Sequence, residues 1–325
     1  MLRIGAAAGT AAALGVTGSI ASGTAGATTS EGSRTGGLPY PADVTDTSHC
    51  TPEVAAIFRR LFTAKSKHDA ARFLSFFSKA NTSYIDASLG VAMRSWKEMN
   101  DFFTPFLSSV PADALSFPLR IVGDERSAVV EFVDTPTFFG KEIIALGSVT
   151  FDSKQKITRW IDYWDGRSSL WPNTIPSTYP TDFSDSEQHA NHGVVRVARE
   201  LQAAFAAGDG AAAAALMSPD VVVEDLATHT RLRSAIQAQR YYTRALGRLP
   251  YGPGAAVVHA GGGRRGGGYE WSAGSQAAPL QRGHTGFELD AASKISRLTT
   301  VYDSSVLSDA AYQSLVGLAA EAPLS

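Results

Sequence analysis

The sequence predicts an α+β protein built twice over, and three observations carry that prediction. Segments with helical periodicity come first and alternating, strand-like segments follow, the order of helices packed on an antiparallel sheet. That order recurs in the second half with matched residues. At a constant offset Asp86 meets Asp225, Arg94 meets Arg233, Ser95 meets Ser234, Thr104 meets Thr243, Leu107 meets Leu246 and Pro111 meets Pro250. An offset smaller by one matches Asp152 with Asp290, Lys156 with Lys294, Ile157 with Ile295, Arg159 with Arg297 and Asp165 with Asp303. Finally, a Pro- and Ser-rich stretch, LWPNTIPSTYPTDFSDSE, separates the copies, with residues 173–187 read as the linker. One order of elements recurring with matched residues is a tandem duplication.

Each element has its own justification. Residues 1–27 hold Arg3, an apolar run from Ile4 to Ile20 and a small-residue end, which reads as a secretory signal peptide cut after Ala27. The chain is therefore expected to be secreted; a disordered Ala/Gly tail is the other reading. Residues 28–50 are rich in Gly, Ser, Thr and Pro and read as a linker. The first domain, 51–172, opens with Thr51 as a helix cap and Val54, Ile57, Phe58, Leu61 and Phe62 on one helical face. A second helix is expected over His68–Phe77, a short strand at Tyr84–Asp86, and a helix over Ser95–Leu107 before the Pro111 stop. Four strands follow: LSFPLRIVG, SAVVEFVDT, IIALGSVTFD and KITRWIDYWD. The second domain, 188–325, repeats this from a helix over Val194–Phe205 and another in GDGAAAAALM.

Composition narrows the function. A net charge of -2 gives no footprint for nucleic acid or an anionic membrane, and no later segment is apolar for long enough to span a bilayer. The single Cys50 excludes an internal disulfide framework and a cysteine-based metal cluster. The histidines show no convincing ligand spacing, so no metal site is expected.

Alternation along the strands gathers the acids. Trp160, Asp162 and Trp164 share one face of their strand, Phe132 and Asp134 one face of theirs, and Tyr84 and Asp86 one face of a third. Three strands can thus point an aspartate at one pocket, beside aromatic neighbours. Burial raises the pKa of a carboxyl group, and two close carboxylates split into one protonated and one ionised partner. That is a general acid beside a general base. Asp134 and Asp162 are the expected pair, with Tyr84 and Asp86 orienting water or substrate. Trp160, Trp164 and Phe132 are the expected wall, with Asp225 holding the matching place in the second copy. This reading requires no cofactor. Structural roles stay open: turn caps for Asp86, Asp134, Asp165 and Asp303, wall packing for Tyr84, and a salt bridge or cap for Arg94 and Arg233.

The last strand, ITRWIDYWD, is similar to the ITxWRDYFD ending of the SnoaL-like, nuclear-transport-factor-2-like (NTF2-like) superfamily. The resemblance covers most of both halves. It implies two tandem cone-shaped barrels, each with N-terminal helices packed on a curved antiparallel sheet. The site layout resembles limonene-epoxide-hydrolase-type members, which use an Asp-Arg-Asp set with Tyr and Asn holding water. Asp134 falls on the aspartate of the R-x-D motif, Asp162 on that of the final strand, and Tyr84 and Asp86 on the Y-x-N pair. Two positions depart: Phe132 stands where the family has Arg, and Asp86 where it has Asn, so the bridging cation is missing. The tandem layout resembles fused epoxide hydrolases that cyclise polyether chains, and SnoaL-like polyketide cyclases are a further type. The resemblance implies a cofactor-independent enzyme acting on a small hydrophobic, polyketide- or terpenoid-like metabolite. The reaction would be epoxide opening, cyclisation, hydration or isomerisation. The alternative is a non-catalytic ligand-binding or interaction protein on the same fold. In the second copy Thr300 replaces Asp162, and the nearest acid to the Asp134 position is Glu270. That copy is read as a structural partner, or as a separate pocket using Asp225, His229 and Glu270. The halves are expected to pair in cis, or the chain to dimerise.

Overall fold

A computed structural model describes residues 38–167, 189–274 and 281–323. The expected signal peptide and the linker at 173–187 lie outside the described residues.

The first half runs β1 (Asp46–Cys50), α1 (Pro52–Ser66), α2 (Ala70–Leu74), β2 (Ser83–Asp86), β3 (Val91–Met93), α3 (Trp96–Ser109), β4 (Ser116–Gly123), β5 (Ser127–Asp134), α4 (Pro136–Phe139), β6 (Ile143–Phe151) and β7 (Ile157–Trp164). Its strands form one sheet in the order β1-β4-β5-β6-β7-β2-β3. Thr51 holds the N-cap position of α1 but its side chain makes no cap bond, and Pro52 opens the first turn. The apolar face of α1 buries Val54, Phe58, Leu61 and Phe62 on the concave side of the sheet. The stretch read as a linker is in part structure. Residues 46–50 form β1, parallel to β4, and Tyr40 is buried against Phe117. The helix expected over His68–Phe77 is only α2, because His68 takes a left-handed φ of 56° and Asp69 caps the new start through Arg72 N at 2.8 Å.

The second half repeats the plan with α5 (His192–Ala206), α6 (Gly210–Ala215), β8 (Met217–Asp225), β9 (Thr230–Leu232), α7 (Ala235–Ala245), β10 (Ala255–Gly263), β11 (Gly266–Ala273), β12 (Gln281–Leu289) and β13 (Ile295–Tyr302). A further helix, α8 (Asp309–Glu321), follows. Its Leu315 and Ala319 enter the second core, where the helix packs on α7 and β9. The sheet order is β10-β11-β12-β13-β8-β9. The parallel pairing of β8 with β13 sets Asp225 beside Thr300, as β2 with β7 sets Asp86 beside Asp162. The offset read from sequence therefore holds in three dimensions.

The convex faces of the two sheets pack on each other. An apolar patch of Ile85, Val129, Leu146, Ile161 and Tyr163 meets Val301. Around it runs a polar seam. Arg159 makes two bonds to Glu270, at 2.6 and 2.9 Å. Tyr163 donates to the same carboxylate at 2.5 Å, and His259 lies 3.0 Å away. The β10–β11 hairpin reaches into this seam through its glycines. Gly262 has φ 131°, and a Cβ there would lie 2.3 Å from Gly267 Cα, so a side chain would drive the strands apart. Its N–H donates to Ser127 Oγ of the first half at 2.7 Å. At the strand ends the halves exchange caps: Ser304 N donates to Asp165 at 2.8 Å and Gly166 N to Asp303 at 3.2 Å. These two aspartates are matched copies, so the clasp is reciprocal, as at a two-fold dimer interface.

Gly147 shows how tightly the first core is fitted. A Cβ there would stand 3.0 Å from Val130 Cγ1 and 3.2 Å from the Trp160 indole. Trp160 cannot yield, since Phe58, Phe62, Phe77 and Phe132 surround it. Gly147→Ala is expected to lower stability by about 1–3 kcal/mol, measured by denaturant unfolding, with a shift in tryptophan fluorescence.

Candidate active site

The helices of the first half cover its concave sheet incompletely and leave a cavity of about 280 Å³. Its wall is apolar: Leu89, Val91 and Met93 from β3 and the turn before it, Phe102, Phe103 and Phe106 from α3, and Phe132, Phe139, Ile143, Ala145 and Trp164. Its polar groups are Lys65, Tyr84, Asp86, Asp134 and Asp162. Phe102 is exposed and marks the mouth.

Asp162 is 4% exposed. The Tyr84 hydroxyl donates to its Oδ2 and the Trp160 indole N–H to its Oδ1. Burial pushes its pKa up to about 7, and the Asp86 charge adds to this against the Tyr84 and Trp160 bonds. Asp86, directly opposite across the β2–β7 ladder, accepts from Ser88 N at 3.0 Å, Leu89 N at 2.8 Å and Trp164 Nε1 at 3.0 Å. Burial raises it to about 6 in spite of those bonds. Asp86 is thus both a turn cap and a cavity residue. Burial and the neighbouring Asp162 hold the Tyr84 hydroxyl well above its ordinary value, so it stays a donor.

Asp134 does not cap the turn that follows it. Both its oxygens are taken by Lys65, at 2.7 and 3.1 Å. Lys65 reaches in from the last turn of α1, with Nζ 5.0 Å from the centre of the Phe132 ring. This lysine brings a cation to Asp134 from a helix, beside Phe132; it bonds Asp134 and does not bridge to Asp162, whose oxygens accept from Tyr84 and Trp160. Val54, Phe58 and Leu61 lead to Lys65 along one face of α1. A charge continuing an apolar stripe was the signal that could have found it.

Of the other expected residues, Phe132 and Trp164 line the cavity. Trp160 does not. It lies behind Asp162, stacked on Tyr84 at 6.1 Å, and acts on the site through its N–H. Asp225 does not serve this cavity either. It is 2% exposed in the second core, accepting from Tyr251 Oη at 3.1 Å and Thr228 N at 2.9 Å; burial raises it to about 6. The separate pocket read from Asp225, His229 and Glu270 is not assembled: His229 is exposed and Glu270 points from the opposite face of its sheet into the seam. The second core is filled by Tyr241, Tyr242, Tyr251, Trp271 and Tyr302. Tyr241 and Tyr242 occupy the places of Phe102 and Phe103, Val223 that of Tyr84, and Phe205 on α5 that of Lys65. Cys50 offers no nucleophile, since burial pushes its thiol up to about 11.

No family model matches the chain, and no curated protein matches it. Solved structures do. A SnoaL-like protein of unknown function from Burkholderia thailandensis is 15% identical, with 36% of this chain and 98% of that one covered and a TM-score of 0.31. An NTF2-like protein of unknown function from Cytophaga hutchinsonii is 10% identical, with 38% and 96% covered and a TM-score of 0.29. The epoxide hydrolase/cyclase-like enzyme SalBIII, described in pyran ring formation in the polyether salinomycin, is 15% identical, with 37% and 96% covered and a TM-score of 0.31. Each spans little more than a third of this chain. By its own architecture the chain is a tandem of two α+β units, helices on a curved sheet in each, the SnoaL-like and NTF2-like plan that the final-strand motif resembles.

Proposed function

We propose that the first half is a cofactor-independent acid–base enzyme acting on a small hydrophobic metabolite, by epoxide opening, cyclisation, hydration or isomerisation. The observation that supports it is Asp162, buried at an apolar cavity with a pKa of about 7, in the same cavity as the Lys65–Asp134 ion pair. A carboxyl group poised near neutrality exchanges protons with least loss in either direction. Asp162 takes a proton from the substrate or from a nucleophilic hydroxyl and returns it to another atom of the product. The Lys65 ammonium stabilises the oxygen on which negative charge develops. Tyr84 and Trp160 hold Asp162 in place, and Asp86 completes the polar end. The second half serves as structural partner, its matching interior occupied by tyrosines.

The test is turnover of a panel of hydrophobic epoxides and polyketide-like compounds in oxygen-18 water, with Asp162→Asn and Asp134→Asn beside the wild type. Label in a diol that vanishes in Asp162→Asn supports water activation; unlabelled rearranged product supports cyclisation or isomerisation. Tight binding without turnover in any case would sink the catalytic reading and leave a carrier. Lys65→Met separates stability from chemistry. It strands the Asp134 carboxylate in a buried site and is expected to cost about 3–5 kcal/mol. Lys65→Met with Asp134→Leu is expected to recover most of that in thermal unfolding and to stay inactive.

A further inference from the structure

The polar groups of the first cavity are unequal in sign and in hydrogen-bonding sense. Lys65 from α1, Tyr84 and Asp86 from β2, Asp134 from β5 and Asp162 from β7 are its titratable groups among the described residues. Three are acids and one is a cation. Two of the three Lys65 N–H donors can be placed on Asp134, so that corner carries no net charge, and the third donor is the one left for a developing oxyanion. Asp86 and Asp162, register partners across β2 and β7, form no ion pair of their own among the described residues; Lys65 acts on Asp162 only as a minor influence from its place on Asp134.

The donors beside these two acids are spent. The Tyr84 hydroxyl is used on Asp162, and the Trp164 N–H on Asp86. A carboxylate oxygen has two lone pairs. Each Asp162 oxygen accepts one bond, and Asp86 Oδ2 accepts one, from Trp164. What this end of the cavity still offers a ligand is acceptor capacity and negative charge, next to the rings of Phe102, Phe103 and Phe106. An ammonium group is all donor and no acceptor, and aromatic faces attract cations.

From this geometry we infer that the ligand of the first cavity is a protonated hydrophobic amine, its ammonium seated between Asp86 and Asp162 and its apolar body against the α3 phenylalanines. The inference rests on the reading of this cavity as the working site and adds the class of molecule that it accepts. Anionic metabolites such as free carboxylic acids are disfavoured, because they would add a fourth negative group to a site whose one cation is already paired with Asp134.

Three matched probes test it on the full chain: 4-phenylbutylamine, 4-phenylbutan-1-ol and 4-phenylbutanoate, measured by calorimetry. At about pH 7.5 the amine is expected to bind at least about tenfold more tightly than the alcohol, and the acid more weakly than either. The preference is expected to fall as pH drops towards about 5.5, where Asp162 and Asp86 take up protons while the amine keeps its own. The double variant Asp86→Asn, Asp162→Asn is expected to bring the ratio of amine to alcohol affinity down to about one. If that variant does not fold, the pH dependence of the wild-type ratio decides. Equal affinity for amine and alcohol, or tighter binding of the acid, overturns the inference. Turnover of neutral compounds without amine preference sinks this inference alone, whereas amine preference without turnover of any compound sinks the catalytic reading and leaves the ligand class standing.

Discussion

Asp162→Asn is expected to cut turnover by about 10²–10⁴-fold, the range of a lost general acid or base, while the protein gains stability. The two effects share one cause. Burial holds the folded-state pKa at about 7, far above the ordinary aspartate value of 3.8. Between those values the native state holds a proton that the unfolded chain has released, so stability falls as pH rises across that window. The gap between the two values corresponds to roughly 4 kcal/mol. Asparagine removes the charge and keeps the shape. Its oxygen can still accept from the Trp160 N–H, and the Tyr84 hydroxyl can turn to accept from its amide. The variant should therefore unfold at a higher temperature above neutrality and differ little at pH 4. In the wild type, kcat/KM should rise with pH through about 7 if Asp162 acts as the base; that limb should be absent from any residual activity of the variant. A variant that is both inactive and less stable would show that Asp162 is a packing residue.

Arg159→Met is expected to be the most destabilising single change in the seam. Glu270 is 0% exposed, so removing its bidentate partner leaves a buried charge with His259 and Tyr163 beside it, at a cost of about 3–5 kcal/mol. Adding Glu270→Gln should return much of that loss; an additive double variant in denaturant unfolding would refute the coupling. The seam also sets acid sensitivity. Burial would raise the Glu270 pKa, but Arg159 and His259 together hold it well below its ordinary value. Its stabilisation is therefore present above the unfolded value near 4.5 and lost as pH falls below it. Burial lowers His284 from 6.5 to about 4, so it resists protonation, and stability drains as pH falls between those values. Acid unfolding should thus begin below about pH 6.5 and steepen near 4.5, opposite in sign to the effect of Asp162.

How much of this was legible in the sequence follows from where each signal lies. Alternation within one strand is local, and it placed Tyr84, Asp86, Phe132, Asp134, Asp162 and Trp164 at one cavity, as found. The duplication was legible because matched residues such as Asp86 and Asp225 hold matched ladder positions. Lys65 was missed because its partner is remote in sequence and a lysine late in a helix reads as solvent-facing. Glu270 was misplaced because its position came from a loose alignment with Asp134. Its own strand alternates, and Tyr269 and Trp271 face the core, so Glu270 had to face away. Helix α8 and the strand at 46–50 were passed over because a short segment declares its state only once it has a neighbour to pack against.

Strand β7 serves both sides of the first half at once. Its even positions, Trp160, Asp162 and Trp164, face the cavity side, and its odd positions, Arg159, Ile161 and Tyr163, face the other half. Because side chains alternate with a period of two, inserting or deleting one residue exchanges the two sets wholesale. Tyr163 would swing into the cone and Asp162 into the apolar join. Evolution can therefore change the chemistry of this strand by substitution and never by a change of length, and any ligand that shifts β7 by a fraction of a residue presses on the junction behind it.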